Sequence, residues 1–261
     1  MNFINNISSA IGSSSIRMNK ELGKAGLLFF EAVQNIFTRP FRFKNYIEQL
    51  EFIGNKSLNV VLLTGCFTGM VLALQMYETL KQFSSESIVG GVVALAMTKE
   101  LGPVLTALMV NSRAGSSIAA QLGTMKVTEQ IDALRSMAVN PVQYLISPRI
   151  LAGFVMLPFL TIISNLVGVV GGYIIAVLLL GLDHGLYIAK VTDLVQLSDI
   201  LGGLLKASAF GIILTFIGCY YGYYTSGGAK GVGIATTSAV VTSAVLILAT
   251  DYIITSFLLH V

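Results

Sequence analysis

Five long apolar runs dominate the pattern of hydrophobic and polar positions along the chain. Each run is close to the ~20 residues that a helix needs to cross the hydrocarbon core of a bilayer. The runs predict membrane-spanning helices at 58–80, 88–112, 150–180, 200–222 and 238–259. The third run contains Pro158, so we expect a tilt or a kink there. The predicted fold class is an all-α integral membrane protein, a single domain over 1–261 with 58–259 as its transmembrane bundle.

The chain before the first run alternates between polar and apolar residues with a helical period. Over 16–37, one side of a helix would be mostly apolar, formed by Leu22, Gly26, Phe29, Phe30, Val33, Ile36 and Phe37, and the other would carry Lys20, Lys24, Glu31 and Asn35. After the break at Arg39-Pro40, 44–55 would form a second helix with Tyr46, Ile47, Leu50 and Ile53 on one side. We expect 16–55 to form amphipathic helices that lie in the membrane interface. Packing against a partner protein is the alternative.

Lys and Arg are distributed unevenly between the segments that connect the spans. With the N-terminus inside, the outer loops hold only Lys81 and Lys190. The inner segments hold Arg17, Lys20, Lys24, Arg39, Arg42, Lys44, Lys56, Arg113, Lys126, Arg135, Arg149 and Lys230. An excess of Lys and Arg marks the cytoplasmic side. We therefore expect a cytoplasmic N-terminus and a C-terminus, with His260, on the outer side.

The composition agrees with a membrane protein and excludes several other classes. Hydrophobic residues make up 54% and charged residues 11% of the 261 residues, whereas soluble domains carry about 25% charged residues. Basic residues cluster nowhere outside the N-terminal third, so a nucleic acid partner is not expected. His184 and His260 are lone and far apart, so we expect no metal site. Cys66 and Cys219 lie inside apolar runs and are expected to be unreactive free thiols.

Nucleotide hydrolysis is also not expected in this chain. The glycine-rich stretch 226–233 lacks the Lys-Ser/Thr ending of a phosphate-binding loop, and no complete motif of that kind occurs. We therefore expect no enzyme activity and no cofactor in the chain itself.

Four charged residues fall well inside the predicted spans, away from their ends. Lys99 and Glu100 lie in the second, Lys206 in the fourth and Asp251 in the fifth. Charges facing lipid cost a few kcal/mol each, and the positions are at similar depths, so we expect these side chains to meet. One interpretation is a proton relay or a conformational switch. The other is a structural salt-bridge network that fixes the packing of the helices.

The segment 113–149 is the one long inner connection between spans. Thr128 is a candidate N-cap for a short helix, and the acidic Glu129 and Asp132 would fall in its first turn. The residues Ala133, Leu134 and Met137 give an apolar stripe at helical spacing. Such a stripe just under the membrane is typical of a helix that docks in a groove of a partner. Packing on its own bundle is the alternative.

The first span carries a mostly apolar face with one amide and one hydroxyl. This face consists of Leu72, Gln75, Met76, Thr79 and Phe83. It could contact an amphiphile or serve ordinary helix packing. Three G-x-x-x-G pairs, Gly65/Gly69, Gly168/Gly172 and Gly218/Gly222, predict close approaches between helices.

Several motifs in one order resemble the MlaE family of ABC permeases. They are Lys99-Glu-Leu-Gly-Pro-Val, Asn111-Ser-Arg-Ala-Gly-Ser, Thr128-Glu-Gln-Ile-Asp-Ala-Leu, Met137-Ala-Val-Asn-Pro, Ser147-Pro-Arg and Gly233-Ile-Ala-Thr-Thr. The resemblance runs from about Gly65 to the C-terminus. Two departures stand out: Lys99-Glu100 replaces the family's Arg-Glu pair, and Ser238 follows the Ala-Thr-Thr where family members often have Arg.

The resemblance implies a phospholipid-transporting permease in the bacterial inner membrane. It implies a homodimer, a cytoplasmic dimer of ABC ATPase subunits that binds ATP, a periplasmic hexamer of MCE-domain proteins and a cytoplasmic STAS-type protein. The segment 123–140 would be the coupling helix, with Glu129, Asp132, Ala133, Leu134 and Met137 contacting the ATPase. Phospholipid would occupy a cavity lined by the first-span face. The alternatives are a proton-coupled secondary carrier that uses the four intramembrane charges and a membrane anchor that only assembles other proteins.

Overall fold

The computed structural model describes residues 19–36, 38 and 43–260, with side chains as far as Leu258. All regular structure in these residues is helical. The α-helices are α1 (19–34), α2 (Phe43–Ile53), α3 (Asn55–Lys81), α4 (Val89–Ala96), α5 (Gly102–Val110), α6 (Ser116–Val127), α7 (Gln130–Ser136), α8 (Ser147–Tyr173), α9 (His184–Leu194), α10 (Leu197–Tyr223) and α11 (Gly228–His260). Wider π-helical turns occur at Met97–Leu101, Asn111–Gly115, Val142–Ile146 and Ile174–Leu179.

Five helical stretches of the described chain are long and apolar enough to cross a membrane. They are Phe43–Lys81, Glu86–Val127, Val142–Leu179, Leu197–Tyr223 and Gly228–Leu258, called spans 1 to 5 below. The predicted number and order of spans, and the all-α membrane fold class, are therefore confirmed. Spans 1 to 3 extend further toward the predicted inner side than the apolar runs do. The reason is that the polar flanks stay helical: α2 leads into α3 across Gly54 alone, and π turns join the segments of spans 2 and 3.

The glycine pairs lie where helix backbones touch. A side chain at Gly65 would meet the Ser164 hydroxyl at 2.8 Å, and one at Gly69 would collide with the backbone of Gly168, so α3 and α8 pack without side chains between them. On the other side of the bundle, Gly222 of α10 lies against the Ala119 carbonyl of α6. All three predicted close approaches are confirmed.

The helix α1 is present, but its packed side differs from the predicted one. Leu28, Ala32 and Ile36 are buried, whereas Leu22 and Phe30 are exposed. Leu28 and Ala32 pack into the main apolar core around Ile146 and Phe210, and the Phe29 ring lies 5.1 Å from that of Phe216. The packed side is therefore rotated from the predicted one and overlaps it at Phe29 and Ile36. Phe37 lies outside the described residues. Whether α1 and α2 lie in the membrane interface stays a prediction.

Two further sequence predictions were wrong in detail. Thr128 does not cap α7; its hydroxyl donates to the Thr124 carbonyl at 2.8 Å and it ends α6, while Glu129 precedes α7. The outer loop 181–199 contains α9, which the polar composition hid. Asp199 belongs to the first turn of α10, where its carboxylate accepts the backbone N–H of Gln196 at 3.0 Å.

Candidate functional site

Lys206 of α10 is the centre of a charge cluster inside the bundle. Its side chain is only 2% exposed. The ammonium Nζ lies 2.6 Å from Glu100 Oε2 in span 2 and 3.2 Å from Asp251 Oδ1 in span 5. It also donates to the Thr255 hydroxyl at 2.7 Å. The contact with Asp251 has the distance of an ion pair but not the alignment of a hydrogen bond. One lysine thus links three spans.

The backbone near the cluster explains why Lys206 fits there. Pro103 has no N–H, so it cannot donate to the carbonyl of Lys99 one turn earlier. Lys206 Nζ donates to that carbonyl at 3.1 Å. The missing side chain of Gly203 permits the approach, since a Cβ there would collide with the Thr98 carbonyl. The motif Lys-Glu-Leu-Gly-Pro therefore supplies both a carboxylate and a free carbonyl to one ammonium.

The predicted four-residue cluster implied that Lys99 would join Lys206 at Glu100 and Asp251. The structure pairs Lys99 with a different carboxylate. Its Nζ pairs with Asp199 Oδ1 at 2.9 Å, and its side chain is 44% exposed. Two members of this region, Asp199 and Thr255, were not singled out from the sequence. Spacing gave a signal for both: Thr255 follows Asp251 by one helical turn, and Asp199 precedes Lys206 by two turns on the same helix.

A cavity of about 200 Å³ opens beside the cluster. It is lined by Lys99, Glu100, Ser198, Asp199, Gly202, Gly203, Lys206, Thr255 and Leu258. With Asp251 included, three carboxylates and two ammonium groups lie in this region. The four residues predicted from the sequence contained two of each. The described residues contain no group of His, Cys, Asp and Glu side chains suited to a metal ion. The arrangement can hold water, bind a proton or fix the helices.

A shallow, mostly apolar groove of about 360 Å³ runs along α3. It is lined by Phe67, Thr68, Val71, Leu72, Gln75 and Leu101. Of the five predicted lining residues, Leu72 and Gln75 lie in it. Met76 packs partly against a small apolar cluster around Val93 and Tyr187. The Thr79 hydroxyl donates to the Gln75 carbonyl. Phe83 is exposed and lies beyond the end of α3, so it does not share that helix face.

The short helix α7 is fastened to the bundle on one side and exposed on the other. Ile131 is fully buried and Leu134 packs partly against the main core, whereas Met137 is 72% exposed. The Lys126 ammonium donates to Asp132 Oδ2 at 2.9 Å, and this hydrogen bond holds the pKa of the Asp132 carboxyl below its usual value. Asp132 is thus already partnered within the chain, while Met137 is the exposed apolar residue of the predicted stripe.

A family model and individual relatives point to the same protein family. The family model described as permease MlaE matches residues 46–257. A probable ABC transporter permease protein of Rickettsia bellii is 44% identical over 98% of this chain and 99% of its own length.

The chain belongs to the MlaE permease family. The intermembrane phospholipid transport system permease protein MlaE of Haemophilus influenzae is 38% identical over 97% of both chains. The chloroplastic protein TRIGALACTOSYLDIACYLGLYCEROL 1 of Arabidopsis thaliana is 39% identical over 87% of this chain and 65% of its own. Together with the five spans, membership of the MlaE permease family makes this a multi-pass membrane protein of the permease type.

Proposed function

We propose that this chain is the permease subunit of an ABC transporter that moves phospholipids between the inner membrane and a periplasmic carrier, and so maintains the lipid asymmetry of the outer membrane. The observation that carries the proposal is the near full-length similarity to a relative named for intermembrane phospholipid transport. The groove on α3 supports it, because a wall of apolar side chains with one amide, Gln75, suits an amphiphile.

The proposed assembly is the one that the resemblance to the MlaE family implies. Two copies of the chain would form the membrane unit, with a dimer of ABC ATPases and a STAS-type protein on the cytoplasmic side and a hexamer of MCE-domain proteins on the periplasmic side. The bias of Lys and Arg favours a cytoplasmic location for the N-terminus and α7. ATP would be bound and hydrolysed by the partner, and lipid would lie between the two copies against the α3 groove.

The proposed contact with the ATPase is the exposed side of α7. Met137 and Ala133 are exposed there, and Glu129 lies at the start of the helix. Leu134 is turned partly toward the bundle and Asp132 toward Lys126, so these two would support the docking side rather than enter the partner. Covering the Met137 side chain is worth about 1.5–3 kcal/mol, enough to make the contact sensitive to a single charge.

The test is co-purification and lipid transfer with the reconstituted complex. Met137→Asp is expected to reduce ATPase recovery about tenfold, because a buried charge opposes the burial of this side chain. The matched control is Thr192→Asp, which adds the same charge to an exposed position on α9, at the other end of the bundle. Full ATPase recovery with Met137→Asp, or absence of ATP-dependent lipid transfer by the unmodified complex, would contradict the proposal.

A proton-coupled carrier is the second candidate, favoured by the charged side chains that line the cavity at Lys206. In that case a pH gradient would drive lipid or solute movement without ATP, and Glu100→Gln would abolish it. Under the first proposal, transfer requires ATP and is indifferent to the gradient. Measuring transfer in proteoliposomes with each energy source alone separates the two.

A further inference from the structure

The Arg135 side chain is partly exposed, but its guanidinium reaches the end of α10. Its Nη2 donates to the hydroxyl of Tyr223 at 2.6 Å, and its Cζ lies 5.9 Å from the centre of the same ring. Tyr223 is the last residue of α10 and is buried. A charged hydrogen bond combined with a cation–π contact makes a directional connection between two helices.

The other side of Arg135 is fixed as well. Asp132 Oδ1 lies 3.7 Å from its Nη1, and the same carboxylate binds Lys126 of α6. The chain Lys126–Asp132–Arg135–Tyr223 therefore runs from α6 through α7 to α10. Since α6 and α10 touch through Gly218 and Gly222, α7 lies across the end of an already close helix pair.

Sharp turns of the backbone bound α7 at both ends. Glu129 has φ 61° and Ala138 has φ 57°, a left-handed conformation that residues other than glycine rarely adopt. The helix of seven residues between them is thus set off from its flanks, and Ile131 anchors it. Two polar contacts join α7 to the bundle: Asp132 with Lys126 of α6, and Arg135 with Tyr223 of α10. A displacement of α7 can act on α10 through the second.

The far part of α10 holds the charge cluster. Lys206 lies 17 residues before Tyr223, about 25 Å along the helix axis, and it contacts spans 2 and 5. A rigid helix with a directional contact at one end and an ion-pair contact further along can convey a small shift between them.

We propose that Arg135 is a positioning residue that conveys movement of α7 to α10 through Tyr223, and so couples ATP hydrolysis to lipid movement without contributing to the docking of the ATPase. The inference rests on the proposed function. It differs from a docking role because the guanidinium is engaged with the chain's own Tyr223, whereas the Met137 side chain is 72% exposed.

The test compares the number of lipids transferred per ATP hydrolysed in the complete reconstituted complex. Arg135→Ala is expected to lower this ratio about three- to tenfold while the ATPase still co-purifies. Arg135→Lys, which retains the charge but not the planar group, should recover part of the ratio. Gln130→Ala, at an exposed position on the same helix, is the matched control and should leave it unchanged.

A second substitution guards against a simple folding defect. Tyr223→Phe keeps the ring and removes the hydroxyl, so it should lower the ratio less than Arg135→Ala. The double variant should be no worse than Arg135→Ala alone, because both changes break one connection. An unchanged ratio in Arg135→Ala, additive effects in the double variant, or loss of the ATPase would each overturn the inference. Failure of the unmodified complex to couple ATP to lipid transfer would instead overturn the proposed function.

Discussion

Lys206 Nζ and Glu100 Oε2 lie 2.6 Å apart and join span 4 to span 2. The lysine is buried, and it also contacts the side chains of Asp251 and Thr255 in span 5. Opposite charges brought together inside a bundle remove the cost of exposing either one to lipid. The same contacts help to hold spans 2, 4 and 5 in one relative orientation.

Removal of the central lysine should be strongly destabilising. Lys206→Met has a similar length but leaves the Glu100 and Asp251 carboxylates without their shared cation. A fully buried pair would lose roughly 3–5 kcal/mol, and the loss here should be smaller because the Glu100 side chain is 41% exposed. Combining it with Asp251→Asn should recover part of this loss. The free energy of unfolding, measured in detergent micelles with denaturant, gives both values.

Lys99→Met serves as the control for that experiment. Lys99 is 44% exposed and contacts Asp199 alone among the acids of the described chain, so its removal should cost no more than about 1 kcal/mol. Equal losses for the two lysines, or no recovery in the double variant, would show that Lys206 is not the centre of the network.

The contact between α3 and α8 should not accept even a methyl group. Gly69→Ala places a Cβ against the backbone of Gly168, and because backbone cannot rotate away, we expect a loss of about 1–3 kcal/mol. Gly23→Ala in α1 has open space around it and should be neutral or slightly stabilising. Thermal unfolding of the two variants side by side measures the difference. Equal melting temperatures would argue against the close approach.

Topology can be tested with a membrane-impermeant thiol reagent. In a background without Cys66 and Cys219, a cysteine at Asp193 in α9 should be labelled from the outside of intact cells, and one at Ser136 in α7 should react only after lysis. The expectation follows from the distribution of Lys and Arg, which favours α7 in the cytoplasm. Labelling in the opposite order would invert the whole orientation.

The groove along α3 should be sensitive to bulk. Gln75→Trp would fill space bounded by Val71 and Leu101. Under the proposed function, lipid transfer by the reconstituted complex should therefore fall several-fold while ATP hydrolysis by the partner continues. Leu63→Trp, exposed on the same helix but outside the groove, is the control. If both substitutions slow transfer equally, the groove has no special part in lipid binding.

The number of spans could be predicted from the sequence because apolar runs of membrane length are rare outside membrane-spanning helices. Their inner ends could not be predicted, since a helix continues through polar residues such as Asn111 and Arg113 when π turns and local hydrogen bonds support it. The helix α9 was missed for a related reason: its length and mixed polarity resemble a loop, and its start depends on the Asp183 carboxylate accepting the backbone N–H of Leu186 at 2.9 Å.

Within the charge cluster, the sequence indicated which residues would meet but not how they would be paired. Depth along each helix follows from counting residues, so Glu100, Lys206 and Asp251 could be placed near one another. Pairing depends on rotation about the helix axis, which the π turn Met97–Leu101 alters. Because of that turn, and because Asp199 lies in the first turn of α10, Lys99 pairs with Asp199.

The helix α9 closes one side of the bundle at the end that is predicted to face outward. Its Tyr187 is buried against Gly90, and the Tyr187 hydroxyl donates to the Val169 carbonyl at 3.1 Å. Burial raises the pKa of Tyr187 to about 12, so this donor keeps its proton at any physiological pH. On the opposite side, the cavity beside Lys99 is open. The surface of a single copy is therefore asymmetric: at Tyr187 it is closed between spans 2 and 3, whereas the cavity lined by Lys99, Lys206 and Thr255 opens between spans 2, 4 and 5.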